Sequence, residues 1–171
     1  MVRINKNFFD KDADIVAKEL LGKILEVNGK KARIVETEAY LDENDPASRA
    51  SKGDNKVKRM MLQEPGKILV YNVHMYKMLN FVANKKGRAN AVLIRAVEPI
   101  DFKERCNGPG LLTMSLGIDD RFHGKSIGED ICLSDDSHCF DIIESFRIGV
   151  TKDLDIPLRF YIKDNKHVSK K

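Results

Sequence analysis

Arg33-Ile-Val-Glu-Thr-Glu-Ala-Tyr40 predicts a β-strand that returns beside the segment before it. It follows Asn28-Gly29, a pair that favours a tight two-residue hairpin turn because both residues tolerate a positive φ. Side chains in a strand alternate between two faces, so Glu36 and Glu38 share one face with the apolar Ile34. Acids in such positions pair with cations, take part in chemistry or lie on a solvated face, and the alternation alone favours the solvated face.

The length and charge of the chain suit one domain that binds a polyanion. The 171 residues, 42% of them hydrophobic, predict a single domain over residues 1–171 with one core. Lys and Arg number 30 against 26 Asp and Glu, and the net charge of +4 favours a polyanionic partner without requiring one. The sequence contains no apolar run of about 18 residues, the length typical of a membrane helix, so we expect no membrane span.

The cysteines indicate a reducing compartment. Cys106, Cys132 and Cys139 are an odd set without Cys-x-x-Cys spacing, and the chain starts without an apolar signal stretch. We therefore expect a cytoplasmic protein, associated with the nucleoid if its source is prokaryotic. Cys132, His138 and Cys139 lack both zinc-ligand spacing and an evident fourth ligand, so the sequence predicts no metal site and implies no cofactor.

A second hairpin and a basic segment lie next in the chain. The β-rich runs at residues 67–73 and 75–82 predict a hairpin that turns near His74. The segment before it, residues 42–59, is polar and basic, and it is either a phosphate-binding loop or a solvated surface. Its candidate phosphate ligands are Lys52, Lys56, Lys58 and Arg59.

Two later features are candidates for binding anions. Arg95 interrupts the apolar run at residues 90–97, and an arginine in such a strand needs an anion, either an acid of the first strand or part of a ligand. Gly108-Pro-Gly110 opens a predicted helix over residues 111–117, where free backbone N–H groups offer a phosphate site. Short helices are also predicted from Asp10 onward and at residues 102–105.

Taken together, these segments resemble the alkyladenine (3-methyladenine) DNA glycosylase family over nearly the whole chain. The matching motifs, in order, are Phe8-Phe9-Asp10, Leu20-Leu-Gly22, Arg33 to Leu41, Asp45-Pro-Ala-Ser-Arg49, Pro65-Gly66, Val70-Tyr71, Asn80, Leu93 to Pro99, Asn107-Gly-Pro-Gly110, Leu112-Thr113, Leu116-Gly-Ile118, Arg147-Ile-Gly-Val150 and Pro157-Leu-Arg-Phe160. Each motif is weak alone, but their shared order is specific.

The resemblance implies an α+β domain with a curved, mostly antiparallel sheet, flanking helices and a projecting hairpin. It implies an enzyme that flips a damaged purine out of double-stranded DNA and hydrolyses its N-glycosidic bond, leaving an abasic site. By this resemblance Glu38 activates the attacking water, and Arg95 supports that water or the phosphate of the flipped nucleotide. Tyr40 and Tyr71 are expected to stack on the base, and Asn80 to exclude normal guanine.

Three positions depart from the family pattern. His74 stands where the family has a tyrosine that fills the gap left by the flipped nucleotide, and the glycine after it is missing. Leu111 replaces a lysine of the glycine-rich turn. Arg49 stands where a histidine commonly touches the base, so it faces either the base or a phosphate. If Arg49 faces the base, its charge favours neutral lesions such as hypoxanthine over cationic ones such as 3-methyladenine.

The main alternative function is a non-catalytic or weakly active damage sensor of the same fold, whose departures from the pattern have cost it turnover. A sugar glycosidase built on Glu36 and Glu38 is disfavoured, because two acids two residues apart on one strand point the same way. No lysine accompanies Glu38, Tyr40 and Tyr71 in the predicted site, so we expect a monofunctional enzyme that leaves the DNA backbone intact. We also expect it to act as a monomer.

Overall fold

The computed structural model describes residues 1–170, which fold as a single α+β domain. The nine strands of this range are β1 (Val2–Arg3), β2 (Ile24–Val27), β3 (Lys30–Tyr40), β4 (Ile68–Val73), β5 (Tyr76–Val82), β6 (Ala91–Pro99), β7 (Ile131–Asp135), β8 (Ile142–Ser145) and β9 (Arg159–Ile162). The α-helices are α1 (Ala13–Leu20), α2 (Lys56–Met61) and α3 (Pro109–Leu116), and the 3-10 helices are Lys6–Phe9, Arg49–Ser51 and Asp120–Phe122. The predicted fold class is confirmed.

Strand β3 lies at the centre of one curved antiparallel sheet. The strand order is β1-β7-β2-β3-β6-β5-β4, and β9 adds to β3 while β8 adds to β9. One edge of β3 pairs with β2 near its start and with β9 farther on, while its other edge pairs with β6. Strand β3 therefore has sheet neighbours along both edges. Because other elements also pack on its faces, residues 34–39 are fully buried.

Two irregularities in the pairing of β3 with β6 bring Arg95 beside the acids of β3. Ile34 pairs with Val97, and the register shifts before Thr37 pairs with Ile94, so that Val35 and Arg95 are left without a directly paired residue. Such bulges bend a strand and re-aim its side chains. The Arg95 side chain lies in contact with the β3 carboxylates.

Helix α1 covers the β3 face that carries Thr37. Ala13, Val16, Ala17 and Leu20 recur at helical spacing and are fully buried, which contributes about 1.5–3 kcal/mol for each larger aliphatic side chain. The Thr37 hydroxyl donates to the Ala17 carbonyl at 2.8 Å. The helix starts at Ala13 rather than after Asp10, because a 3-10 helix already occupies residues 6–9.

The second hairpin is formed by β4 and β5 and ends in an exposed tip. Val73 pairs with Tyr76, which leaves His74 and Met75 as the two turn residues. His74 has φ 54, and the Met75 side chain is 84% exposed. The Tyr76 ring packs on Gly110 at the start of α3, where an added Cβ would lie 2.6 Å from the ring. Gly110 is therefore required for this contact.

Some local expectations differ from the structure. Residues 102–105 do not form the predicted helix and instead follow β6 as an irregular connection. Helix α3 begins at Pro109, with Gly108 at its N-cap and Gly117 in the left-handed region at its end, close to the prediction. Within residues 1–170, none of the helices combines the length and apolar character needed to cross a membrane.

Candidate active site

Glu36 and Glu38 are both fully buried, so the solvated-face interpretation of their strand is wrong. The alternation pattern could not reveal this, because β3 is covered by neighbouring strands along both edges as well as by other elements on its faces. A buried carboxylate is costly unless it is paired and hydrogen-bonded. The partners of each acid therefore decide what it can do.

Glu36 is the centre of an ion-pair cluster. The Nε atoms of Arg95 and Arg159 lie 3.0 and 2.8 Å from its Oε1 atom. The Ser169 backbone N–H donates to Oε2 at 2.7 Å, and the Ser169 hydroxyl donates to Oε1 at 2.9 Å. With two guanidinium groups and two further donors around it, Glu36 has the surroundings of a structural acid.

Glu38 has fewer charged partners. Its Oε1 atom accepts a hydrogen bond of 2.7 Å from the Ile148 backbone N–H and lies 3.5 Å from the Arg95 Nε atom. Its Oε2 atom accepts a hydrogen bond of 2.8 Å from the Tyr40 hydroxyl. Burial raises the pKa of Glu38, and the charge of Arg95 and the hydrogen bonds from Ile148 and Tyr40 offset only part of that effect. A raised pKa makes this carboxylate a stronger base.

A cavity of about 250 Å³ lies next to Glu38 and holds the predicted base-pocket residues. Tyr40, Tyr71, Asn80 and Arg49 all line it. The other lining residues are Pro46, Ala47, Lys52, Val57, Met61, Leu69, Val73, Ala91, Gly149, Val150 and Thr151. Glu38 does not line the cavity, but it accepts a hydrogen bond from Tyr40, which does line it. A largely apolar wall with a few polar groups is typical of a small-molecule site.

Two cations line this cavity. The Arg49 guanidinium lies 5.2 Å from the centre of the Tyr71 ring, within the range of a cation–π contact. The Lys52 amine donates to the Pro46 carbonyl at 3.1 Å. The expectation that no lysine belongs to the tyrosine pocket is therefore wrong, because the loop after β3 folds back and brings Lys52 to the cavity wall.

Arg147 connects several parts of the site, although the sequence predicted no role for it. Its two terminal nitrogens donate to the two carboxylate oxygens of Asp45 at 2.6 and 2.7 Å, and both side chains are fully buried. Arg147 also donates to the Ala39 carbonyl at 3.0 Å and lies 4.8 Å from the centre of the Tyr40 ring. Since Ile148 follows directly, this anchor positions the N–H group that bonds Glu38.

Asp45 links Arg147 to the loop after β3, which supplies the lining residues Pro46, Ala47 and Arg49. Burial alone would raise its pKa, but hydrogen bonds from Arg147 and from the backbone N–H groups of Leu41 and Ala47 outweigh burial and lower the pKa below its ordinary value. Asp45 and Arg147 both belong to the motifs that carry the family resemblance. The signal in the sequence was that one motif contains an Asp and the other an Arg, two side chains of opposite charge that can pair.

The remaining predicted residues lie around the cavity or farther away. Asn80 is buried, with its amide nitrogen 3.3 Å from the Met78 carbonyl and 3.4 Å from the Leu69 carbonyl. In the basic segment, Lys58 lies 3.5 Å from Glu43 and Arg59 lies 3.4 Å from Asp54. Exposed positions are occupied by Lys56, by His74 at the hairpin tip and by Arg49 at the cavity wall, whereas Gly108 at the N-cap of α3 is half-buried and Gly110 is buried.

The family model and the similar proteins all point to one family. The model of the methylpurine-DNA glycosylase family matches residues 7–166. A protein of Aeropyrum pernix is 41% identical over 96% of this chain and 92% of its own length. Proteins of Legionella pneumophila (strain Lens) and Clostridium novyi are 41% and 40% identical over 99% and 100% of this chain and over their entire lengths. All three carry the name "Putative 3-methyladenine DNA glycosylase".

Proposed function

The chain belongs to the methylpurine-DNA glycosylase family, and from that premise we propose that it excises damaged purines from double-stranded DNA by a Glu38-activated water. The observation that carries this proposal is the placement of a buried carboxylate of raised pKa directly behind a tyrosine of a small cavity. Names of the relatives support the glycosylase activity. The residue roles that follow are proposals supported by the geometry of the site.

The chemistry requires that the damaged nucleotide leave the base stack. The sugar carbon of the N-glycosidic bond is hidden inside a duplex, so the base must turn into a pocket that can hold a flat ring. Tyr40 and Tyr71 line the cavity and offer aromatic surfaces for stacking. The buried Asn80 narrows the same cavity, which favours selection of bases by exclusion.

Glu38 would take the proton of the attacking water. In this step water adds to the sugar carbon, the glycosidic bond breaks, and its electron pair leaves with the base. A cationic purine leaves as a neutral base, whereas an uncharged purine leaves as an anion that takes a proton from solvent. The proton of the water goes to a carboxylate oxygen of Glu38, whose negative charge also stabilises the oxocarbenium-like transition state. The charge of Arg95, 3.5 Å from the carboxylate, favours the ionised form of Glu38 against the effect of burial. The products are a free purine and an abasic site.

Contacts to the DNA backbone are proposed for the basic segment and for the start of α3. Lys52 and Lys56 are exposed and Gly108 caps the helix, so these groups can meet phosphates. Lys58 and Arg59 have acidic neighbours and should contribute less. His74 at the exposed hairpin tip is the proposed wedge, although its ring is smaller than that of tyrosine and buries less area.

We propose that the enzyme is monofunctional, even though Lys52 lines the cavity. A glycosylase that also cuts the backbone usually forms a Schiff base through an amine. The Lys52 amine is turned to the Pro46 carbonyl, and its side chain is exposed. Borohydride treatment during turnover should therefore trap no covalent adduct with DNA. An adduct in the wild type that disappears in Lys52→Ala would contradict this and identify the nucleophile.

The decisive experiment measures base release from a duplex with one damaged purine, read as alkali-sensitive strand cleavage. We expect cleavage by the wild type, in the presence of a chelator, and almost none by Glu38→Gln. A damage sensor would bind the same duplex in a gel-shift assay without releasing the base from any lesion tested. Lesion binding without release by the wild type would therefore overturn the enzyme proposal in favour of the sensor.

A further inference from the structure

We infer that Arg49 makes the cavity select uncharged damaged purines over cationic ones, by occupying the position on Tyr71 that a cationic base would take. The inference rests on the proposed base-excision function and adds the substrate class. A cationic base and an arginine compete for the same aromatic face, because both are attracted by the negative charge density of the ring. Three observations support this.

The first observation is the position of the Arg49 guanidinium. It lies 5.2 Å from the centre of the Tyr71 ring, and both residues line the cavity. The carbonyl of Arg49 accepts a hydrogen bond of 2.9 Å from the Asn55 side chain, which helps fix the backbone from which the guanidinium extends. Among residues 1–170, no carboxylate lies within ion-pair distance of Arg49. Its charge is therefore directed at the cavity and the solvent at its mouth.

The second observation is that the other tyrosine also carries a guanidinium. Arg147 lies 4.8 Å from the centre of the Tyr40 ring and is held there by Asp45. Arg147 is not a lining residue, so it uses the ring of Tyr40 from outside the cavity. Each aromatic wall of the cavity is thus already in contact with one cation. This weakens the further cation–π attraction that either ring can offer a ligand.

The third observation is the sign of the charges around the cavity. The lining set contains Arg49 and Lys52 and includes no carboxylate. Glu38 lies behind Tyr40 and is shared with Arg95. A positively charged purine would therefore meet two cations before any unpaired negative group. The repulsion is screened because the Arg49 side chain is exposed, but it acts against cationic ligands only.

The favoured ligand is an uncharged purine with an oxygen acceptor on its exposed edge. Arginine is a donor at each of its five N–H groups and can bind an acceptor through two of them at once. A carbonyl at the six position, as in hypoxanthine, could accept such a bond from Arg49 while the ring stacks on Tyr40. A methylated cationic purine such as 7-methylguanine has the same carbonyl but adds a positive charge, a methyl group and the exocyclic amine of guanine. The charge effect is therefore read from how the ratio of the two rates changes when Arg49 is replaced.

The test compares single-turnover release of hypoxanthine and 7-methylguanine from otherwise identical duplexes. Each rate is divided by the rate of spontaneous release of the same base, because cationic purines leave more easily. The corrected ratio of 7-methylguanine to hypoxanthine should be below one in the wild type. It should rise by about tenfold in Arg49→Gln, which keeps two donors and loses the charge. Because the ratio is taken within one protein, a partly unfolded variant does not disturb it.

Two matched variants complete the test. Arg49→Lys keeps the charge and should keep a ratio close to that of the wild type. Arg59→Gln removes an exposed cation from α2, outside the cavity lining, so it should weaken binding of both duplexes alike and leave the ratio unchanged.

The measured ratios distinguish failure of the role of Arg49 from failure of the proposed glycosylase function. A wild-type ratio above one, or a ratio that does not change in Arg49→Gln, would overturn the role of Arg49 while leaving the glycosylase function intact. A change of the same size in Arg59→Gln would also overturn it, by showing that the effect is one of overall charge. Failure of the wild type to release either base would refute the proposed function itself, and the inference with it.

Discussion

Glu36 and Glu38 stand two residues apart on β3, both are fully buried, and both contact Arg95, yet their surroundings differ. Glu36 has two arginines and both donor groups of Ser169. Glu38 has one arginine at 3.5 Å, one tyrosine hydroxyl and one backbone N–H. The comparison supports the proposal that Glu36 is structural, because two arginines compensate its charge, and that Glu38 is available for proton transfer, because its charge is less compensated.

In this proposal a single strand carries both a stabilising acid and a catalytic one. Arg95 and Arg159 form an ion-pair cluster with Glu36. Arg95 also contacts Glu38 and so links this cluster to the second acid. Tyr40, two residues beyond Glu38, brings the site to the cavity. Four predictions test this division of roles between the two acids.

The largest effect is expected for Glu38→Gln. The amide keeps the shape of the side chain but cannot accept a proton from water, so the single-turnover rate of base release should fall by about 10²–10⁴-fold. Binding of the lesion duplex and the thermal unfolding temperature should change little. Base release at the wild-type rate would remove Glu38 from the mechanism and end the contrast between the two acids.

Glu36→Gln should act mainly on stability. It leaves Arg95 and Arg159 buried beside a neutral group, and breaking such a buried pair costs about 3–5 kcal/mol in free energy of unfolding. Urea unfolding measures this loss. The rate of base release per folded molecule should fall far less than in Glu38→Gln. A Glu36→Gln protein that is as stable as the wild type but inactive would reverse the assignment of the two acids.

Arg147→Lys should have an intermediate effect on the rate. One amine cannot make the paired contacts with Asp45 and the bond to the Ala39 carbonyl, so the Ile148 N–H group should lose its fixed position beside Glu38. We expect about a tenfold loss in the rate of base release, with lesion binding less affected.

The matched control for Arg147→Lys is Arg33→Lys. Arg33 makes a similar two-point contact with Asp136, at 3.2 and 2.7 Å, away from the cavity. Its replacement should leave the rate unchanged. Equal rate losses in both variants would show that Arg147 acts only through general stability.

The smallest effect concerns the pH dependence of stability. Because the pKa of Glu38 is raised in the folded protein, the folded state holds this proton more tightly than the unfolded chain does. The contribution of Glu38 to the free energy of unfolding therefore falls as pH rises from its ordinary value of 4.5 through the folded-state pKa. Over the same range the rate of purine release should rise, because only the ionised carboxylate of Glu38 can accept the proton of the attacking water.

Urea unfolding of the wild type and Glu38→Gln over this pH range isolates the contribution of Glu38. The free energy of unfolding of Glu38→Gln minus that of the wild type should increase as pH rises. If that difference stays constant with pH, the carboxylate does not have a raised pKa and is compensated as fully as Glu36.

Much of the fold could be predicted from local patterns. The Asn28-Gly29 turn, the strand that follows it, the hairpin turning near His74 and the glycine-rich start of α3 all agree with the structure. The failed helix at residues 102–105 shows the limit, because a few residues of favourable composition do not form a helix without packing partners. The family resemblance placed Tyr40, Tyr71 and Asn80 in one pocket, and the structure brings them to one cavity.

The residue pattern alone thus establishes the strand of the two acids, the two hairpins and the order of the family motifs. Only the tertiary structure decides which acid is compensated, because the partners come from distant parts of the chain: Ile148 is 110 positions from Glu38, and Ser169 is 133 positions from Glu36. It also decides that Lys52 and Arg49 reach the cavity. Burial and charge compensation set the pKa of a carboxylate, and neither is a property of the local sequence.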